Sequence, residues 1–409
     1  VVYRAVGAFG LMVVGAFMNL PVVIIIGLFA GGLEGVHLVW ARGGLSGVRY
    51  RRRLAGQRIS WGDEIEMRVE VWNRKRLPLA WLRAVEEVSS SVVIRHRPGA
   101  AEQTVSALRN TWTLAPYERV VRHVWVSAER RGVHSIGPTH LAVGDLLARD
   151  AASVHIDDVD HFVVWPKVVP MPRLTRPDRW GDLDRARAGL IEDPARFAGV
   201  RQYSPGDPLR WVHARTSARL GQPMTKRFEP SRERQVLLAI DIQTLGGRGW
   251  EIAGHGGQDV EALYVVAASI VRQLAAEGAS FGLTAAGFTR TPTRFADVQI
   301  GRGARHADRM LDVLARLSPY PSASFEVLLA RIQRRFRDTT TVMVVTMRDP
   351  ITFVRELRRL RRAGYGVMVV TCGDTAALDA ESARRAGFRA RAIALDGPWQ
   401  SATQLVAVG

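Results

Sequence analysis

The chain is poor in cysteine and in lysine. Cys372 is the single thiol among 409 residues, which excludes a disulfide framework or a cysteine zinc site within one chain. It ends the apolar run YGVMVVTC and reads as a buried, inert thiol. Lys75, Lys167 and Lys226 are the only lysines, so arginine supplies the other 54 of the 57 basic residues behind a net charge of +18. That charge alone does not assign a nucleic-acid partner. Zinc-finger spacing, an aromatic RNA-binding signature and a long basic tail are all missing, so no nucleic acid is expected. GxGxxG and GxxxxGK[ST] are missing too, which removes support for dinucleotide or P-loop nucleotide binding.

Charge is itself missing from Ala5 to Leu33. The turn signal Asn19-Leu20-Pro21 divides this run, because proline lacks a donor N–H and disfavours helix at the residue before it. The first piece, AVGAFGLMVVGAFM, is short for a membrane span. The second, PVVIIIGLFAGGLEGVHLVW, has about the 20 residues a bilayer needs. Glu34 and His37 lie near its far end, where they are expected to reach the interface. Arg4 precedes the first piece. Arg42, Arg49, Arg51, Arg52, Arg53 and Arg58 follow the second, with no acid before Asp63. The positive-inside bias places both flanks in the cytoplasm. The expectation is a transmembrane helical hairpin over residues 1–42, in a multi-pass plasma-membrane protein whose bulk is cytoplasmic.

Residues 43–170 read as a β-rich, sandwich-like domain. EIEMRVEVW puts Ile65, Met67, Val69 and Val71 on one face and Glu64, Glu66, Arg68 and Glu70 on the other, the period of a half-buried strand. Similar short runs recur in AWLRAVEEV, VVRHVWVSA, THLAV and HFVVWP. The histidines scattered among them read as ordinary surface or core residues. Residues 171–234 form a connector in which apolar periodicity weakens and Pro, Gly and charge rise. Residues 235–409 alternate apolar strands with helices, which means a mainly parallel sheet covered on both faces.

The connector contains FAGVRQYSPGDPLRWVHARTSARLG, residues 197–221. Asp207, His213 and Ser217 invite a triad, but the three fall within eleven residues and no nucleophile elbow accompanies them. A second reading is an anion-binding surface built from planar arginine forks. The third is structural: a Pro205-Gly206-Asp207 turn, packing by Tyr203 and Trp211, and arginines paired with carboxylates of neighbouring domains.

This stretch resembles the bacterial domain-of-unknown-function 58 family, whose signature has the form G-x-R-x-Y-x-x-G-D followed by R-x-I-x-W-x-x-S-A-R. Gly199, Arg201, Tyr203, Gly206 and Asp207 match, then Arg210, Val212, Ser217, Ala218 and Arg219, while Ala214 departs at the tryptophan position. ERRGVHSIGPTHLAVGDLLA also looks like the family's R-R-G-x-x-x-x-G-P segment, with Leu146 where a proline is common. The resemblance implies a C-terminal Rossmann-like, von Willebrand factor A-like domain over 235–409. Relatives of that domain often hold Mg²⁺ through D-x-S-x-S. Here Asp241 is present, but Gln243 and Leu245 replace the serines. Asp349 is expected at the same sheet edge, and two carboxylates fall short of the six oxygens a hard cation wants. No metal or cofactor is therefore expected. The resemblance also implies partnership with a MoxR-type AAA+ ATPase. The expected function is a membrane-anchored, non-enzymatic adaptor, with signature residues serving structure or partner binding. The rival is a metal-dependent hydrolase using Asp241 and Asp349.

Overall fold

The computed structural model describes residues 2–95, 103–104, 107–145, 147, 149–174, 192–205, 207–230, 235–243, 257–289, 293–336 and 340–408. The chain divides into two compact units, Val1–Pro166 and Lys167–Gly409.

The first unit opens with two apolar helices, α1 (Val2–Phe17) and α2 (Pro21–Gly43). Pro21 occupies the first turn of α2, where its missing N–H costs nothing. At 23 residues α2 is long and apolar enough to cross a membrane, whereas α1 is shorter. Gly27 lets α2 approach α1 closely, since a Cβ there would lie 3.0 Å from the Ala8 carbonyl oxygen. Most large apolar side chains of both helices remain exposed, including Phe9, Phe17, Ile25 and Phe29.

Two β-sheets follow. One has the order β1 (Val48–Leu54), β3 (Ile65–Asn73), β8 (Arg119–Ala128), β5 (Val92–Arg95), β6 (Gln103–Thr104). The other runs β2 (Arg58–Ser60), β11 (Asp160–Trp165), β9 (Gly132–Gly144), β4 (Leu79–Val88), β7 (Ala107–Leu114), with β10 (Asp150–Ile156) also on β9. Met67, Val69 and Val124 from the first sheet share one core with Leu82, Trp112 and Phe162 from the second. The expected alternation of β3 holds: Ile65, Met67, Val69 and Val71 are all buried. Within this core Arg52 bonds Glu86 at 3.1 Å, Asp160 at 2.7 Å and Thr139 at 3.1 Å, so the buried guanidinium is matched by acceptors.

Glu34 and His37, near the far end of α2, are held by partners within the protein. Both are buried. His37 Nδ1 lies 2.9 Å from Asp145 Oδ2, and Arg149 bonds Asp145 and Glu34, each at 2.8 Å. Burial pushes the Asp145 carboxyl up, but bonds from His37 and Arg149 outweigh it and hold the group down at about 2. The far end of α2 is thus bolted to the loop between β9 and β10.

The second unit contains a seven-stranded sheet. Its order is β16 (Ala296–Arg302), β15 (Ser280–Ala285), β14 (Gln235–Ile240), β17 (Thr341–Thr346), β18 (Gly366–Cys372), β19 (Arg389–Leu395), β20 (Leu405–Val408). The middle five are parallel, and β16 and β20 are antiparallel edges. The parallel strands β14, β15, β17 and β18 are buried almost throughout, as their continuous apolar runs require, whereas β19 exposes Arg389 and Arg391. Among the described residues, the helices that accompany the sheet are α4 (Gly257–Ala276), α5 (Ala304–Arg316), α6 (Phe325–Arg335), α7 (Val354–Arg362) and α8 (Ala376–Arg385). The connector contributes a separate antiparallel pair, β12 (Glu192–Gln202) with β13 (Met224–Pro230), and a short helix α3 (Ala214–Leu220) between them.

Candidate functional site

Two places gather the residues singled out in the sequence. The first is the β12–β13 hairpin. Arg201, at the end of β12, grips Asp207 with both terminal nitrogens, at 2.8 and 2.6 Å. Asp207 also accepts from the Ser204 amide at 3.0 Å, so the carboxylate organises the turn as well as holding the arginine. The Arg201 bond and the Ser204 amide hold its carboxyl below the usual range. The arginine fork is therefore satisfied inside the signature, where the sequence suggested a carboxylate from another domain. Gly206 lies outside the described residues. Gly199 sits at a register shift of the hairpin with φ of 153°, a backbone shape an L side chain adopts only with strain.

His213 and Ser217 do fall within bonding range, but as parts of a cap. His213 is the N-cap of α3, and its Nδ1 accepts from the Thr216 amide at 3.2 Å. The Ser217 hydroxyl donates to the His213 carbonyl at 3.0 Å and accepts from the Met224 amide at 2.8 Å, tying α3 to β13. Asp207 bonds neither of them. Tyr203 joins the opposite strand through its amide, which donates to the Pro223 carbonyl at 2.9 Å. Arg210 stacks 5.8 Å from the Trp211 ring centroid, and Arg219 is exposed on α3. The exposed apolar side chains of this segment are Phe197, Leu209 and Leu220.

The second place is the carboxyl edge of the parallel sheet, where β14 ends with neighbours leaving on either side. Ligands of open α/β sheets gather at such an edge. Asp241 follows β14 and is wholly buried. Its Oδ2 accepts from Arg348 Nε at 2.8 Å and from the Thr346 hydroxyl at 2.9 Å, and its Oδ1 accepts from the Gln243 amide at 3.1 Å. Burial pushes its carboxyl up to about 6, even though Arg348, Thr346 and the amide all favour the charged form. The Gln243 side chain accepts from the Phe325 amide at 3.0 Å and so holds the start of α6. Asp349 caps the 3-10 turn Pro350–Phe353 through the Ile351 amide at 3.0 Å. Leu245 lies outside the described residues. Cys372 is buried, and its thiol, pushed up by burial, donates to the Thr346 carbonyl at 3.4 Å.

Arg348 is the residue that sequence reasoning missed. Its only signal is an arginine just past an apolar strand, at the edge where Asp241 was expected. Among the described residues, no three carboxylate, histidine or cysteine side chains form a group suited to a metal ion.

The chain is similar to the uncharacterized protein YeaD of Bacillus subtilis, with 23% identity over 267 residues. The alignment takes in 64% of this chain and 61% of that protein's length. Among solved structures, the CARDB domain of a Pyrococcus furiosus protein matches 29% of this chain and 86% of its own, at 11% identity and a TM-score of 0.19. Trypsin-activated alpha-2-macroglobulin from Escherichia coli matches 41% of this chain and 9% of its own, at 14% identity and a TM-score of 0.22. At such scores neither structure informs the fold or the function. Residues 199–376, from the signature hairpin through the Asp241 edge to the start of α8, match the family model described as "Protein of unknown function DUF58".

Proposed function

We propose that this protein is a membrane-anchored, non-enzymatic adaptor, and that the exposed face of the signature hairpin is its docking surface. One observation carries the reading. Phe197, Leu209 and Leu220 leave 58%, 78% and 53% of their surfaces in solvent within a single short segment. Exposed apolar side chains in a segment that also carries Arg210, Arg215 and Arg219 have the make-up of an interface that a partner would cover. The non-enzymatic part is supported by how the reactive groups are engaged. His213 and Ser217 cap and tie α3, so this histidine and serine are not set as base and nucleophile.

At the sheet edge the residues do not fit a hard cation. Arg348 already supplies the positive charge beside Asp241, and Gln243 is engaged with α6. The strand order, with its reversal at β14, supports a Rossmann-like, von Willebrand factor A-like reading of residues 235–409, which by itself leaves function open. The contact between α1 and α2 and the arginines after α2 support a two-span, plasma-membrane hairpin with a cytoplasmic bulk. The partner class, a MoxR-type AAA+ ATPase, rests on the family resemblance.

The test is Leu209→Asp in the full chain, purified from solubilised membranes. It should lose a co-purifying AAA+ ATPase while reaching the membrane at wild-type level. Retention of the ATPase by this variant would reject the hairpin as its docking face. Hydrolytic activity that is lost on chelation and again in Asp241→Ala would establish the rival enzyme.

A further inference from the structure

A cleft of about 820 Å³ opens beside the edge strand β16 and shares no lining residue with the hairpin or the Asp241 cluster. Its size falls in the range of small-molecule sites. Among the described residues, four arginines line it, Arg294, Arg316, Arg331 and Arg335, against one acid, Asp297. The acid is committed. Asp297 accepts from Arg331 at 2.7 Å and from the Thr284 hydroxyl at 2.7 Å. Arg331 also lies 4.5 Å from the centroid of the Phe295 ring, so it is a fixed wall of the cleft. The other three cations are differently placed. Arg294 donates to the uncharged Ser322 carbonyl at 3.1 Å. Arg335 stands 3.9 Å from Asp297, which Arg331 already neutralises. Arg316 has no ion pair among the described residues.

From this geometry we infer that the cleft binds a diphosphate group, free or carried by a nucleoside. Among the described residues, four arginines against one aspartate give the lining a net of three positive charges. One carboxylate would answer only one of them, whereas two phosphoryl groups bring about three to four negative charges. Planar guanidinium forks bind such oxygens two at a time. The Phe295 and Val313 side chains supply the apolar part of the lining, against which an organic group would rest.

The test is calorimetric titration of the detergent-solubilised full chain with inorganic pyrophosphate. One saturable site is expected. Arg316→Gln should weaken it about tenfold, and Arg316→Gln with Arg335→Gln about a hundredfold. Arg316→Gln should keep the wild-type thermal midpoint, because no ion pair is lost. Arg358→Gln, on the exposed face of α7, should leave binding unchanged. ADP bound as tightly as pyrophosphate would assign the site to the diphosphate alone, and tighter ADP would assign it to a nucleotide. The inference is overturned if pyrophosphate does not bind at about 1 mM, far above the affinity that three charged contacts should give. It is also overturned if the double variant binds normally, if Arg358→Gln weakens binding equally, or if orthophosphate binds as well as pyrophosphate.

Discussion

Two arginine–aspartate pairs in the second unit stand in opposite surroundings. Arg201 holds Asp207 near the surface, with 43% of the arginine side chain and 13% of the aspartate's exposed, while Arg348 holds an Asp241 that is wholly buried. At the surface, the arginine bond and a nearby amide decide the matter, and the Asp207 carboxyl is held down. In the core, desolvation outweighs a guanidinium at 2.8 Å, and the Asp241 carboxyl rises to about 6. A contact distance therefore does not say what an ion pair contributes. The medium around it does.

The sharpest test of that contrast is Arg348→Ala. It strands a buried carboxylate and should cost on the order of 3–5 kcal/mol at pH 8. The cost should shrink as pH falls. The folded-state value of Asp241 lies above the ordinary 3.8, so folding takes up a proton between 3.8 and about 6. Stability at this group is full below that window and is lost as pH rises through it. At pH 5 the wild-type carboxyl is already largely neutral and has less need of Arg348. Thermal unfolding of the solubilised chain and its variant at the two pH values measures this. An equal loss at both would break the contrast.

A smaller effect is expected inside the hairpin. Ser217→Ala removes the hydroxyl that joins the His213 carbonyl to the Met224 amide, and leaves that amide without its partner. The cost should be about 1–3 kcal/mol. It should appear as faster hydrogen exchange in α3 and β13, with the parallel sheet unaffected. A catalytic serine would give the opposite pattern, losing an activity with little change in exchange.

How far the sequence could be read depended on burial. The strand β3 was legible because one face is buried and the other wet, and the parallel strands because both faces are covered. β16 and β20 were not read as strands, since an edge strand such as ADVQIGR needs neither pattern. The pairing of β12 with β13 was hidden for a related reason. EDPARFAGVRQ carries a proline, a glycine and four charges and shows no apolar period. Residue identities picked out Arg201, Asp207 and Asp241, but not their partners. Arg201 finds Asp207 six residues away, across the turn the signature makes. Arg348 finds Asp241 from 107 residues away, through strand register that no local pattern encodes. The partners of Glu34 and His37 were hidden likewise, since Asp145 and Arg149 stand over a hundred residues on.

The smallest expected effect belongs to Arg201→Ala, and its smallness is informative. The pair is bidentate, which favours it, but solvent reaches the arginine and screens the attraction. Asp207, 13% exposed, would remain bonded to the Ser204 amide, and water could take the place of the half-exposed guanidinium, so the charge is not stranded as it is at Asp241. The loss should be under about 1 kcal/mol, against several for Arg348→Ala. A signature arginine whose removal leaves the thermal midpoint almost unmoved is then available to a partner. If the proposed ATPase docks on the hairpin, Arg201→Ala should weaken its co-purification while the hairpin stays folded. A drop in midpoint as large as that of Arg348→Ala would instead make Arg201 a structural clamp, and the two pairs would no longer differ in kind.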